Sequence, residues 1–209
     1  MLSEEEKVFE TIFYEKGEFE GRECNVARIN YLEVLNVRQA SSQSELEKLK
    51  GVLLESEKPE KEIEILMGVR NWRPHLIDCL AALLVDDKPL MVKTLWETFD
   101  RSSWVNPQIA ATLSILDKSF IHNALERLRN GVLVKNPSKY MIDAYKTDKI
   151  ENPKGFMSLW GLLETVFNCD ELSSPNMLSN KEIIGKKDRD NSAIIALSWR
   201  NEIKGMLNA

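Results

Sequence analysis

Histidine and cysteine are scarce in this chain of 209 residues: His75 and His122, with Cys24, Cys79 and Cys169. Three widely spaced cysteines exclude a disulfide framework and agree with a reducing compartment. His75 and Cys79 stand four apart and would share a helix face, but zinc needs three or four ligands, and the sequence supplies no third beside them. A nucleophilic cysteine needs an adjacent base, and no flanking signature provides one. We therefore expect no metal, no cofactor and no catalytic residue. The nine glycines are scattered, and none forms GxGxxG or GxxxxGK[ST], which excludes those phosphate loops. Long apolar runs are missing too. The longest, Leu76 to Val85, is interrupted by Asp78 and reaches about half of the roughly 20 residues of a bilayer span. The acidic start Met1-Leu2-Ser3-Glu4-Glu5-Glu6 is the reverse of a secretory signal, so a cytoplasmic protein is expected.

Cationic charge is in deficit, with 28 Lys and Arg against 33 Asp and Glu, a formal net charge of −5. That balance speaks against wrapping nucleic acid, which calls for a basic footprint. The apolar share of 43% excludes a disordered chain. The charge is also uneven. Residues 1–66 carry 16 acidic and 9 basic side chains, a net of −7, and residues 67–209 carry 17 and 19, a net of +2. A solvated helical surface accounts for this; so does an acidic face that steers a basic protein partner.

What the chain does have is helical punctuation. Its prolines stand at 59, 74, 89, 107, 137, 153 and 175, the first six lying 15, 15, 18, 30 and 16 apart. Proline suits the first position of a helix, where its missing N–H would be unpaired anyway. Asn106, Asn136 and Asn152 precede prolines as N-caps, Asp86-Asp87 precede Lys88-Pro89, and Ser3-x-x-Glu6 and Ser42-x-x-Glu45 form capping boxes. Apolar stripes follow at helical spacing: Leu76, Leu80, Leu83; Val92, Leu95, Trp96, Phe99; Phe156, Leu159, Trp160, Leu163; Ile195, Trp199, Ile203. About ten helices result. Val26 to Val37 fits strand or helix, Gly131 to Lys135 fits a short extended link, and no run of alternating strands builds a sheet.

Pro74 recurs as Pro107 at an offset of 33, and at that offset Leu76, Leu80 and Leu83 fall on Ile109, Leu113 and Leu116, while Val92 and Leu95 fall on Leu125 and Leu128. Each unit is a pair of short helices that cannot bury its own stripe, so neighbours must stack. In these residues the chain resembles HEAT or armadillo-like helical repeats over about residues 42–168. The resemblance implies an all-α fold of stacked antiparallel helix pairs, a right-handed α-solenoid, serving as a protein-binding scaffold. It carries over no catalytic residue. We expect a single all-α domain over 1–209, with acidic N-terminal helices at 1–41, the repeat core at 42–168, a polar loop at 169–190 and a C-terminal helix at 191–209.

Trp72 and Trp104 stand at unit junctions just ahead of the prolines, where they pack between repeats or anchor an interface. With Arg73, His75 and Gln108 they make the candidate binding set, though His75 is equally a polar first-turn residue and Cys79 a small core residue. The leading expectation is a non-enzymatic protein-interaction module, in its concrete form an immunity or antitoxin-like protein whose acidic first third covers a basic partner. A second expectation comes from Trp96, Asp100, Arg101 and Trp104. An aromatic platform beside a carboxylate and an arginine is similar to that of the alkylpurine DNA glycosylases built on HEAT-like repeats. The resemblance implies base excision, against which the net charge of −5 stands. The most polar stretch, Gly185 to Asn191, reads as an exposed loop or a mobile binding loop.

Overall fold

A computed structural model describes residues 3–35 and 39–208, and 65% of it is helix. In chain order the elements are α1 (Glu4–Val8), β1 (Tyr14–Phe19), β2 (Arg22–Ala27), α2 (Tyr31–Leu35), α3 (Gln39–Leu53), α4 (Pro59–Gly68), α5 (Trp72–Leu84), α6 (Lys88–Asp100), α7 (Asn106–Leu116), α8 (Phe120–Arg129), α9 (Lys139–Tyr145), α10 (Pro153–Thr165), α11 (Pro175–Gly185) and α12 (Ser192–Leu207). A 3-10 turn, Asp170–Ser173, lies between α10 and α11. The mostly helical expectation holds. The chain divides into two compact units, Met1–Thr94 with Glu202–Ala209, and Leu95–Asn201.

In the first unit α5 is the central helix. Asn71 caps it by accepting from the Arg73 N–H at 3.1 Å, and every residue from Pro74 to Ala82 is buried. A helix apolar all round is stable only when neighbours enclose it, and α2, α3 and α4 pack on α5 while α1 packs on α4. Two polar residues interrupt that apolar surround, His75 and Asp78. Asp78 is 0% exposed, and neither carboxyl oxygen has a hydrogen-bond partner.

In the second unit the central helix is α7, buried continuously from Asn106 to Ser114 and packed most extensively on α10. Small residues let backbones approach there. A Cβ on Gly161 of α10 would lie 2.6 Å from the Ala193 Cβ of α12. Between Val132 and Asn152 the chain makes an excursion. Leu133 bridges Glu151 in antiparallel fashion, and the Val134 N–H donates to the Ile150 carbonyl at 2.7 Å. Beyond that neck α9 stands clear of the core: none of its residues is buried, and Tyr140 and Tyr145 are exposed.

The caps sort the sequence reading. Ser3 and Glu6 form the expected capping box, Asn152 accepts from the Gly155 N–H at 2.9 Å, and Asp87 accepts from the Leu90 N–H at 3.0 Å. Ser42 is no N-cap, because α3 already begins at Gln39. Its hydroxyl donates to the Glu33 carbonyl instead, while Glu45 accepts from the Asn30 N–H and from Lys48. Asn106 lies inside α7, donating to the Phe99 carbonyl and accepting from the Ser103 N–H. Asn136 is left-handed at φ 51° and Ser138 takes the cap of α9.

Two expectations about element type are corrected. The N-terminal segment 1–41 holds a β-hairpin, and Val26 belongs partly to it: β2 ends at Ala27, α2 follows, and residues 36 and 37 lie outside the described residues. The polar loop expected at 169–190 contains the 3-10 turn and α11. There Pro175 occupies the first turn, and Leu172, Met177 and Ile184 turn inward. Of the extended link expected at 131–135, Leu133 forms a strand bridge, whereas Gly131 at φ 74° and Val132 at φ 46° are left-handed.

Candidate functional site

The β1–β2 hairpin is a largely exposed, acidic element of the first unit. Its strands pair antiparallel from Tyr14 opposite Ala27 to Phe19 opposite Arg22. The connecting residues, Glu20 at φ 50° and Gly21 at φ 75°, are both left-handed, the requirement of a two-residue turn that follows strand twist. Glycine adopts that conformation at no steric cost, whereas Glu20 is held in it. Side chains of directly opposed residues share a face. Glu18 therefore stands directly against Glu23, a like-charge pair that weakens the ribbon by a few tenths of a kcal/mol to about 1 kcal/mol. Lys16 partly offsets it, 3.7 Å from Glu23. On the other face Phe19 is 67% exposed, with Val26 also exposed beyond Cys24.

At its base the hairpin is clamped. Arg28 grips Glu55 in a bidentate pair, Nη1 to Oε2 and Nη2 to Oε1 at 2.6 Å each, and Nη1 also donates to the Ile12 carbonyl at 3.1 Å. Hydrogen bonding to Arg28 holds the Glu55 carboxyl below the usual carboxylate range. Phe9 meets Tyr14 edge to face at 5.2 Å. Burial, and next the Asp78 carboxyl, push the Tyr14 phenol up, with Arg73 acting in the opposite direction. The hairpin is thus fixed at its root and leaves its acidic tip in solvent.

The sequence-derived binding set falls into two groups. Trp72 and Arg73 gather with Tyr31 in the first unit: the Tyr31 and Trp72 rings meet edge to face at 5.7 Å, and the Arg73 guanidinium lies 5.3 Å from the Tyr31 ring and 5.1 Å from that of Trp72. His75 does not join them at the surface. It is buried, with Nε2 2.9 Å from the Val69 carbonyl, a role in joining α4 to α5. In the second unit Trp104 is 53% exposed under Lys154, whose Nζ stands 4.7 Å from the ring and pairs with Asp190. Gln108 is buried in the first turn of α7.

Trp96 and Asp100 form part of an internal network that sequence reasoning could not see. Asp100, 7% exposed, accepts from Arg127 Nε at 2.8 Å, Arg127 Nη2 at 3.0 Å and Lys135 Nζ at 2.6 Å. The Arg127 guanidinium lies 3.8 Å over the Trp96 ring, and the indole donates to Asp117 at 2.8 Å. Arg127 and Lys135 come from α8 and from the link after it, too far along the chain for local spacing to reveal. Arg101 points to Thr98 at 3.1 Å. The arrangement holds elements together and leaves Asp100 without a free oxygen.

Comparisons with protein-family models, with curated proteins and with solved structures return no match. The site must therefore be judged on its own chemistry. Among the described residues no group of His, Cys, Asp and Glu is placed to hold a metal ion, and no helix is long and apolar enough to cross a membrane. What remains is a rooted acidic ribbon with an aromatic tip.

Proposed function

We propose that this chain is a non-enzymatic protein-interaction module of the helical-repeat type that docks a basic protein through its acidic hairpin, in the manner of an immunity or antitoxin-like protein. The observation that carries the reading is the opposition of Glu18 and Glu23 on one face of the hairpin tip, with the exposed Phe19 on its other face. Two carboxylates held against each other are relieved by a cationic partner, and an exposed aromatic ring supplies the apolar anchor that charge alone lacks. The net of −7 over residues 1–66 would speed the encounter with such a partner. The helical-repeat part of the reading draws support from helix boundaries. Trp72–Leu84 and Lys88–Asp100 are echoed, at an offset near 33, by Asn106–Leu116 and Phe120–Arg129. The glycosylase reading draws no such support, since the Asp100 oxygens are engaged by Arg127 and Lys135.

The test uses the intact chain as bait in extract of its native cells, followed by reconstitution with the purified prey. A basic protein whose binding falls with salt, and disappears in the combined E18K, E20K and E23K variant, is the expected result. Undiminished binding by that variant refutes the electrostatic docking. Tight binding of the wild type to duplex DNA at low salt would favour the glycosylase reading instead.

A further inference from the structure

A separate feature lies in the second unit. A shallow pocket of about 390 Å³ runs along α8 and is lined by Lys118, Ile121, His122, Leu125, Arg129 and Glu171, with Ser119 at its edge. His122, Leu125 and Arg129 stand at i, i+3 and i+7 of α8, which sets them in one row, and Lys118 lies two residues ahead of the helix. The two ends differ in character. Lys118, just ahead of α8, and His122, in its first turn, have no ion-pair partner among the described residues. Arg129 lies two turns beyond His122, about 10 Å along the axis. There the Cys169 thiol, which donates to Glu171 at 3.0 Å, holds that carboxyl below the usual carboxylate range, and Arg129 acts weakly in the same direction. Between the ends, Leu125 is the buried floor and Ile121 a partly exposed apolar wall.

The lining thus offers nitrogen donors at one end, apolar surface in the middle, and the Glu171 carboxylate and Arg129 guanidinium at the other. The volume lies within the range of small-ligand sites. A complementary ligand is rich in acceptors at one terminus, has an apolar or ring body, and carries N–H or O–H donors about 10 Å away. We propose that this pocket binds a small organic phosphomonoester, its phosphate between Lys118 and His122, its body on Ile121 and Leu125, and its donors turned to Glu171. The site is independent of the hairpin, so its failure and the failure of protein docking are distinguishable.

The experiment titrates the full chain with adenosine monophosphate, glucose 6-phosphate, adenosine and inorganic phosphate. Binding is followed by calorimetry and by the His122 ring-proton resonance, which H122Q identifies because His75 is the only other histidine. At least one phosphomonoester is expected to bind and move the His122 signal. K118Q should weaken it about tenfold, the worth of one charge-assisted hydrogen bond. E171Q should weaken the phosphomonoester and leave inorganic phosphate unchanged. All the substituted side chains are exposed, so the variants keep the fold. The proposal is overturned if neither phosphomonoester binds, if adenosine binds as well as its monophosphate, or if K118Q changes nothing.

Discussion

Replacing Asp78 by asparagine tests the central physical claim about the first unit. The carboxyl is 0% exposed, sits inside the all-round apolar α5 and has no hydrogen-bond partner. Burial alone pushes its pKa well above the ordinary value of 3.8. Over the pH range between those two values the folded chain keeps a proton that the unfolded chain has released. With one more proton bound in the native state, stability falls as pH rises, by about 1.4 kcal/mol per pH unit. The loss begins near the ordinary carboxylate value and stops at the raised folded value. Asparagine has the same shape and no titration, and both side chains bury an unpartnered polar head. Asp78→Asn should therefore match the wild type in acid and exceed it by a margin that widens by about 1.4 kcal/mol for each pH unit within that window. Urea unfolding of both proteins at several pH values, followed by circular dichroism, measures that margin; all other titrating groups are common to both and drop out of the difference. A margin that stays constant with pH would refute the argument, because it would mean that Asp78 is ionised and stabilised in the folded chain.

Other substitutions probe packing and charge. Gly161→Val in α10 drives a side chain into Ala193 and should cost about 1–3 kcal/mol, with a corresponding drop in Tm by calorimetry; an unchanged Tm would show that α10 and α12 separate freely there. Arg127→Gln strands the buried Asp100 carboxylate and should cost about 3–5 kcal/mol, whereas Lys135→Gln, at a side chain 65% exposed, should cost under about 1 kcal/mol. Equal effects would mean that exposure does not rank the two partners. Glu18→Thr should raise hairpin stability by a few tenths of a kcal/mol to about 1 kcal/mol while weakening capture of a basic partner. A variant that loses both stability and binding would identify Glu18 as structural.

Local signals were legible in the sequence where they decided the outcome locally. The capping box at Ser3 and the Asn152-Pro153 start needed only neighbours within one turn, and both form. Ser42-x-x-Glu45 has the same spelling and fails, since the Glu33 carbonyl and the Asn30 N–H claim those side chains from outside the helix. The hairpin escaped notice because Glu20-Gly21 lacks the Asn or Asp that usually announces such a turn, and because its strands are too solvated to alternate cleanly. The helix α11 was hidden in a polar stretch for a related reason: Met177 and Ile184 alone turn inward, seven residues apart, which leaves no continuous stripe. At the candidate sites, sequence could nominate Trp72, Arg73 and Trp104 as surface groups, but it could not tell that His75 and Gln108 point inward. The partners of Asp100 were invisible because they depend on how α8 and its following link fold back.

The neck formed by Leu133 and Glu151 makes the residues between them a cassette. Its two ends meet at a fixed spacing, so the part that no buried residue anchors, α9 at Lys139–Tyr145, can be exchanged without disturbing the register of the helices on either side. Doubling the length of such a flexible loop adds only about 0.6 kcal/mol of closure cost. Grafted epitopes, affinity tags or a recognition sequence for a protease inserted at Tyr140–Tyr145 should leave the flanking helices intact, which turns α9 into a practical port for labelling the chain while its acidic hairpin stays untouched.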